Sequence, residues 1–261
     1  MAHSTAYTIG FAAAVCGVCS IFVAGAAVSL RDKQETNKII DRYEKVLSVA
    51  GLVEAGEKLS KDEVTKRFEA NIKPRIVELD TGAYVDDVDP STYDQRAAAN
   101  DPSMSEAAPP NDAKVLRIPK YAVVYQVMEG DKIDQLVLPI QGKGLWSTLY
   151  GYLALESDAQ TVSGLTYYEH GETPGLGGEV DNPRWKALWP GRKIYDDSGE
   201  VGIKVVKGQA GPVEKAPYEV DGLSGATLTS RGVTHMIRFW LGPDGFKPYL
   251  ENFRKNEGSA Q

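Results

Sequence analysis

A run of small and hydroxyl-bearing residues near position 225 is the segment whose composition and spacing most suggest chemistry. Gly225 and Ala226 let the backbone come close to a ligand. The residues after them are predicted to begin a helix, and the first N–H groups of a helix are unpaired donors that favour an anion such as phosphate. A plain cap by Thr229 or Ser230 would use the same groups, so the residues alone favour a phosphate site and a cap equally. The candidate contact residues are Asp221, Ser224, Gly225, Ala226, Thr227, Thr229 and Ser230.

Two further glycine-rich segments lie upstream of this run. Residues 142–146 read Gly-Lys-Gly-Leu-Trp, and residues 170–177 read His-Gly-Glu-Thr-Pro-Gly-Leu-Gly. The composition of the second segment is typical of a turn. Trp146 could either fill a core or offer an aromatic face to a ligand.

The order of these three segments resembles that of a known family. Residues 221–227, Asp-Gly-Leu-Ser-Gly-Ala-Thr, match the motif Asp-Gly-x-Ser/Thr-Gly-Ala-Thr of FMN-binding domains, to which a flavin transferase attaches FMN. Together with an apolar N-terminal segment, the three motifs are similar in sequence and order to those of the C subunit of Na⁺-translocating NADH:quinone oxidoreductases. This resemblance covers nearly the whole chain. It implies that Thr227 carries FMN through a phosphoester bond.

The resemblance also implies flavin contacts for the two upstream segments. The glycines of residues 142–144 would let the backbone approach the flavin, and Trp146 would lie beside its planar ring. Thr173 would bond the polar edge of the ring, and Leu176 would pack on its apolar part. Glu172 would accept a hydrogen bond at the ring edge or fix the loop, and no catalytic residue is predicted because electron transfer needs no general acid. The predicted contacts here are Trp146, Glu172, Thr173, Leu176 and Gly177.

Other chemistries find little support in the sequence. Cys16 and Cys19 could supply half of a metal site, but two small thiols packing in a helix fit them better, so no metal site is predicted. The chain has no P-loop and no Gly-x-Gly-x-x-Gly after a strand, which argues against direct binding of ATP or NADH. A net charge of −7 argues against a nucleic-acid partner.

The N-terminal segment changes the class of protein. No charged residue occurs between Ser4 and Leu30, and about 20 apolar residues suffice to cross a bilayer as a helix. A cleaved signal peptide is the alternative, but no Lys or Arg precedes the run and the run exceeds the usual apolar region of a signal. An uncleaved anchor at residues 1–32 in contact with membrane lipid is therefore predicted.

The remaining chain predicts an α+β fold, in which a mainly antiparallel sheet domain with flanking helices follows the transmembrane helix. Residues 33–80 are expected to form a helical stalk or cap, with a capping box at Ser60 and Glu63 and a helix ending at Pro74. Residues 81–114 are expected to form an acidic, partly irregular insertion, and residues 115–261 the FMN-binding domain. Strands are predicted because apolar residues alternate or cluster there. The predicted strands span residues 75–79, 121–127, 135–140, 149–155, 162–168 and 201–207, and a helix ends at Gly242.

The resemblance implies an electron-carrying role within a multi-subunit respiratory complex in a bacterial inner membrane. Electrons would come from NADH at another subunit, pass through this FMN and reach ubiquinone elsewhere, while Na⁺ is transported. The family places the flavin domain in the periplasm, where the flavin transferase acts. The positive-inside rule predicts the opposite, because five basic residues follow the anchor: Arg31, Lys33, Lys38, Arg42 and Lys45.

Three alternatives to this function remain open at the level of sequence. The nearest is the G subunit of the related ferredoxin:NAD oxidoreductase complex, which shares the threonine-linked FMN. The long insertion and the helical pair before residue 115 favour the C subunit of the first complex instead. The others are a non-enzymatic, membrane-anchored regulatory module and a scaffold protein without flavin.

Overall fold

The structure, a computed structural model, describes residues 4–54 and 56–257. The chain forms two compact units, with the boundary between Arg42 and Tyr43. The helices, in chain order, are α1 (Thr5–Val49), α2 (Lys61–Asn71), α3 (Gln95–Asn100), α4 (Pro183–Lys186), α5 (Thr227–Trp240) and α6 (Lys247–Glu257). The strands are β1 (Ile72–Glu78), β2 (Tyr84–Val85), β3 (Ser105–Ala107), β4 (Arg117–Pro119), β5 (Tyr121–Glu129), β6 (Lys132–Lys143), β7 (Thr148–Glu156), β8 (Val162–Glu169), β9 (Lys204–Val205) and β10 (Glu219–Val220).

The first unit, which ends at Arg42, contains the apolar part of α1. The segment Thr5–Arg31 has 27 residues and a mean hydropathy of 2.3. None of its most apolar stretch is buried within the protein. By length and composition this segment can cross a bilayer. Both thiols, Cys16 and Cys19, are free and exposed on it.

In the second unit, the last turns of α1 and the whole of α2 supply apolar side chains to a packed layer. Val46 and Leu47 are fully buried, and the rings of Tyr43 and Phe68 stack with centroids 3.7 Å apart. The predicted capping box is confirmed, since Ser60 accepts from the amide of Glu63 and the Glu63 side chain accepts from the amide of Ser60. The helix ends at Asn71 rather than at Pro74, because residues 72–78 join the sheet instead.

The fold class predicted from the sequence is confirmed by a six-stranded sheet in the order β2-β1-β5-β6-β7-β8. Every neighbouring pair in this sheet is antiparallel. Consecutive strands β5 to β8 are joined by short connections, which antiparallel pairing allows. Four predicted strands of the sheet, near residues 121–127, 135–140, 149–155 and 162–168, are therefore present with longer bounds.

Helix α5 lies against the end of β6, and this contact brings the two segments with candidate chemistry together. A Cβ at Gly232 would come within 2.3 Å of the Lys143 carbonyl oxygen, and a Cβ at Gly142 within 2.7 Å of the Met236 Cβ. Glycine is needed at both positions because the helix and the strand approach so closely. The indole N–H of Trp240 donates to the Gln141 carbonyl at 2.7 Å and fixes the other end of the contact.

The acidic insertion carries more regular structure than its composition indicates. Helix α3 is capped by Asp94, whose carboxylate accepts from the amides of Arg96 and Ala97. The Arg96 guanidinium reaches Glu169 at 2.6 Å and lies 3.7 Å from the centre of the Tyr150 ring. The insertion is thereby attached to the ends of β7 and β8.

Two expectations about the C-terminal third differ from the structure. The strand predicted over residues 201–207 is reduced to the two-residue β9, which pairs in parallel with β10. Its apolar residues fill the core, since Ile203 is fully buried, but the segment lies outside the main sheet. Helix α6 was not predicted at all, although Tyr249, Leu250 and Phe253 bury one face of it.

Candidate functional site

Helix α5 begins at Thr227 without a cap from any side chain. Among the described residues, the backbone N–H groups of Thr227, Leu228 and Thr229 have no acceptor. Thr227 and Leu228 are exposed, so their two N–H groups are the donors open to a ligand, whereas Thr229 is fully buried. The side chain of Thr227 is exposed. The start of α5 is thus an open, partly positive site beside an accessible hydroxyl group.

Of the four hydroxyl groups near this helix start, two have structural partners. Thr229 is fully buried and donates to the Glu172 carboxylate at 2.6 Å. Ser230 is buried and its oxygen accepts from the Leu223 amide at 3.1 Å. The Ser224 and Thr227 side chains are exposed, and within the described chain neither hydroxyl makes a hydrogen bond. Sequence reasoning grouped all four as ligand contacts, whereas the geometry separates an inner pair from an outer pair.

The loop that leads into α5 is fixed by Asp221 rather than left open for a ligand. Its carboxylate accepts from the Ala210 amide at 2.9 Å, and its carbonyl accepts from the Trp185 indole at 2.8 Å. Gly225 has a φ of +70°, a conformation that favours glycine, and a Cβ there would lie 2.9 Å from Leu176. Ala226 is buried beneath this turn. The predicted motif therefore divides into residues that shape the turn and residues that face solvent.

Glu172 connects all three motif segments. Only 5% of its surface is exposed. Its Oε1 accepts from the amides of Trp146 at 2.9 Å and Ser147 at 3.2 Å, and its Oε2 accepts from the Leu145 amide at 3.1 Å as well as from Thr229. Burial raises the pKa of the Glu172 carboxyl, but the hydrogen bonds from Thr229 and the three amides outweigh burial and hold the pKa below its ordinary value.

Large apolar side chains surround the helix start and remain open to solvent. Trp146 is 68% exposed, so the alternative that this tryptophan fills the core is wrong. Leu176 lies over Gly225, and Leu145 and Leu228 are exposed on the neighbouring loop and helix turn. An exposed apolar group of this kind is typical of a ligand or partner surface.

The residues of the 172–177 segment occupy different places at this surface. The Thr173 side chain is exposed, and its carbonyl accepts from the amides of Leu176 at 3.1 Å and Gly178 at 2.9 Å. Gly177 is buried against Glu172 and Thr229. Thr173 can therefore reach a ligand, whereas Gly177 supports the loop from below.

Two cations beside Thr227 were missed by sequence reasoning. Lys207 and Arg231 line the same small cleft of about 130 Å³ as Thr227 and Ser230. Arg231 could have been found from its position four residues after Thr227, which places both on one face of the helix. Lys207 could not, because it lies in a distant loop.

Metal ligands are not assembled in the described part of the chain. No group of three or more His, Cys, Asp or Glu side chains there is arranged to hold a metal ion. His170 instead bonds Asp181 through Nε2 at 2.8 Å, and its Nδ1 accepts from the Glu172 amide at 3.2 Å.

The residues at the start of α5 fit FMN. The amides of the exposed Thr227 and Leu228 and the two cations suit a phosphate group, and the exposed Trp146, Leu176 and Leu228 suit a flat, largely apolar ring. The two parts of the site lie next to one another, as the phosphate and ring of one molecule require.

Comparison with known proteins agrees with this fit. A family model described as FMN-binding domain matches residues 144–242. The chain is 49% identical to the C subunit of the Na⁺-translocating NADH-quinone reductase of Pseudomonas aeruginosa over 258 residues, covering 98% of each chain. It is 49% identical to the same subunit of Vibrio vulnificus over 249 residues, covering 95% of this chain and 94% of that one.

Solved structures give the same result. The crystal structure of Shewanella oneidensis NqrC superposes with a TM-score of 0.76 at 35% identity, covering 85% of this chain and 99% of the other. The crystal structure of the C subunit from Parabacteroides distasonis has a TM-score of 0.66 at 27% identity, covering 85% of this chain and 96% of that one. The full-length relatives also span the region before residue 115 that distinguished the two candidate families. The chain, whose residues 144–242 match the FMN-binding domain, therefore belongs to the NqrC family, the C subunit of the Na⁺-translocating NADH-quinone reductase, an ion-translocating oxidoreductase complex.

Proposed function

We propose that this protein holds FMN through a phosphoester to Thr227 and passes electrons between other subunits of the complex. The observation that carries the proposal is the exposed Thr227 hydroxyl, which lacks a hydrogen bond in the described structure and stands at an uncapped helix start. Nearby hydroxyls that could compete, Thr229 and Ser230, are buried and engaged.

Each group at the site then has a defined task. The flavin supplies the electron-accepting ring when bound. The amides of Thr227 and Leu228 would hold the phosphate by hydrogen bonds, and Lys207 and Arg231 would balance its negative charge. Trp146 and Leu176 would pack on the apolar ring, and the exposed Thr173 hydroxyl could bond the polar edge of the ring.

Attachment is tested by intact mass and in-gel flavin fluorescence after co-expression with a flavin transferase. The wild type should gain the mass of one FMN residue, and Thr227→Val should gain none. Ser224→Ala is the matched control, because Ser224 is the other exposed hydroxyl in the motif, and it should still be modified. Modification of Thr227→Val, or its loss in Ser224→Ala alone, would assign the bond to another residue.

We further propose that the flavin domain is periplasmic and that a flavin transferase and membrane lipid are partners of the chain. The apolar span Thr5–Arg31 supports contact with lipid. The basic residues after the span favour the opposite orientation, but a modified Thr227 must meet the transferase, which acts in the periplasm in this family. A C-terminal reporter that is active on only one side of the membrane decides the orientation.

A non-enzymatic regulatory module and an unflavinylated scaffold predict different results in the same preparation. Reversible bleaching of the flavin absorbance by dithionite would establish a redox-active carrier. A protein that stays colourless beside an active transferase would support the scaffold instead.

A further inference from the structure

The Glu172 carboxylate lies at the point where three parts of the flavin site meet. It belongs to the loop after β8, yet its four hydrogen-bond donors come from the turn after β6 and from helix α5. Three donors are consecutive amides, Leu145, Trp146 and Ser147, and the fourth is the Thr229 hydroxyl, 57 residues further along the chain. A carboxylate is an acceptor at both oxygens, so it matches four converging donors, and an amide would not.

Two glycines enclose this carboxylate. A Cβ at Gly144 would come within 2.6 Å of Oε1, and a Cβ at Gly177 within 2.6 Å of Oε2. Both distances are far shorter than an ordinary van der Waals contact. Glycine at both positions therefore leaves a slot that the carboxylate of Glu172 fills.

The charge in the slot has no ion-pair partner within the described chain. Across residues 4–54 and 56–257, no Lys, Arg or His makes an ion pair with Glu172. Amide and hydroxyl dipoles stabilise the ionised form but do not cancel its charge. A full negative charge therefore remains bonded to the backbone of the exposed Trp146 and to Thr229, in the first turn of the helix that begins at Thr227.

We infer that Glu172 is a positioning residue whose fixed negative charge assembles the flavin site before the flavin arrives and opposes the addition of electrons to the bound ring. The inference rests on the proposed attachment of FMN beside this cluster. Glu172 thus fixes the loop and does not contact the flavin ring directly. Because Glu172 is buried and like charges repel, its negative charge shifts the flavin midpoint potential downwards.

The first test needs no flavin. Full-length protein produced without the transferase is compared by hydrogen exchange with Glu172→Gln, and with Asp158→Asn as the matched control. Asp158 also accepts from two amides, those of Gln160 at 2.9 Å and Thr161 at 2.7 Å, but it lies outside the site. Exchange at residues 145–147 should accelerate about tenfold to a hundredfold in Glu172→Gln, since these amides lose hydrogen bonds to a charged acceptor. It should be unchanged in Asp158→Asn.

Unchanged exchange at residues 145–147 in Glu172→Gln would overturn the inference. Where that variant does not fold, Gly177→Ala replaces it, because the added Cβ expels the carboxylate from the slot while the charge is retained. Exchange at residues 145–147 must then accelerate in Gly177→Ala. Since no flavin is present, this result does not depend on which residue carries FMN.

The second test separates charge from packing in the flavin-loaded protein. Glu172→Gln should shift the flavin midpoint potential to a more positive value. Because glutamine has nearly the shape of glutamate, this shift reports the charge, and Asp158→Asn, which removes a carboxylate outside the site, should leave the potential close to that of the wild type. An unshifted or more negative potential in Glu172→Gln would refute the electrostatic part, whereas loss of FMN from Thr227→Val bears only on the attachment.

Discussion

Two fully buried tryptophans offer a matched measurement of one hydrogen bond that holds helix α5 in place. Trp240 and Trp189 are each 0% exposed. The Trp240 indole N–H donates to the Gln141 carbonyl at 2.7 Å, whereas the Trp189 indole N–H finds no acceptor among the described residues. Replacing either with Phe removes the same atoms, so the loss of volume contributes similarly to both variants.

The difference between the two variants then reports the hydrogen bond. Trp240→Phe leaves the half-buried Gln141 carbonyl without its donor, which costs about 1–3 kcal/mol. Trp189→Phe removes a buried donor that lacks a partner and recovers a penalty of about 1–3 kcal/mol. Trp240→Phe should therefore lower the free energy of unfolding by about 2–6 kcal/mol more than Trp189→Phe does.

Urea denaturation of the full-length protein in detergent, followed by far-UV circular dichroism, measures this difference. The comparison is valid if the free energy of unfolding falls with urea concentration at the same slope in both variants. A changed slope would indicate a changed denatured state. Equal midpoints would refute the reasoning. They would mean either that the Trp240 bond contributes nothing or that a buried water molecule satisfies Trp189.

Three other predictions concern the site, its charge and its support. Arg231→Gln and Lys207→Gln should each reduce the fraction of protein that gains FMN at Thr227, because each removes a cation beside the phosphate; intact mass measures this. Ser60→Ala should lower the free energy of unfolding by about 0.5–2 kcal/mol, as loss of a helix cap does, and thermal denaturation checks it. The pKa of Glu172 lies below its ordinary value, so the stability it contributes is full above the ordinary carboxyl range and is lost as pH falls through the lowered pKa. The stability gap between wild type and Glu172→Gln should accordingly shrink in acid, and urea denaturation across that pH range would detect it.

Local patterns predicted the parts of the fold that depend on neighbouring residues. The capping box at Ser60 and the strands β5 to β8 follow from spacing and alternation within short windows. The segment around Ile203 has the same apolar composition, but composition reports burial and does not tell whether a partner strand lies alongside. For that reason residues 201–207 were predicted as a strand and form only the two-residue β9.

The candidate site could be located from sequence, but its internal order could not. The motif containing Thr227 identified the segment. Whether Thr227 or Thr229 is exposed depends on the direction in which each side chain faces on α5. The contact between Glu172 and Thr229 joins residues 57 positions apart. No spacing along the sequence predicts this contact, because it depends on how helix α5 packs against the sheet. Lys207 was missed for the same reason.

The proposed attachment point of FMN, Thr227, lies on a helix and not on a flexible loop. Thr227 is the first residue of a 14-residue helix, and most of the residues that follow it in this helix are buried. A flavin fastened there would have a reach of only a few covalent bonds from a rigid support. The tunnelling distance to any electron donor or acceptor would then be decided by how closely that partner docks beside Trp146, and hardly by movement of the tether.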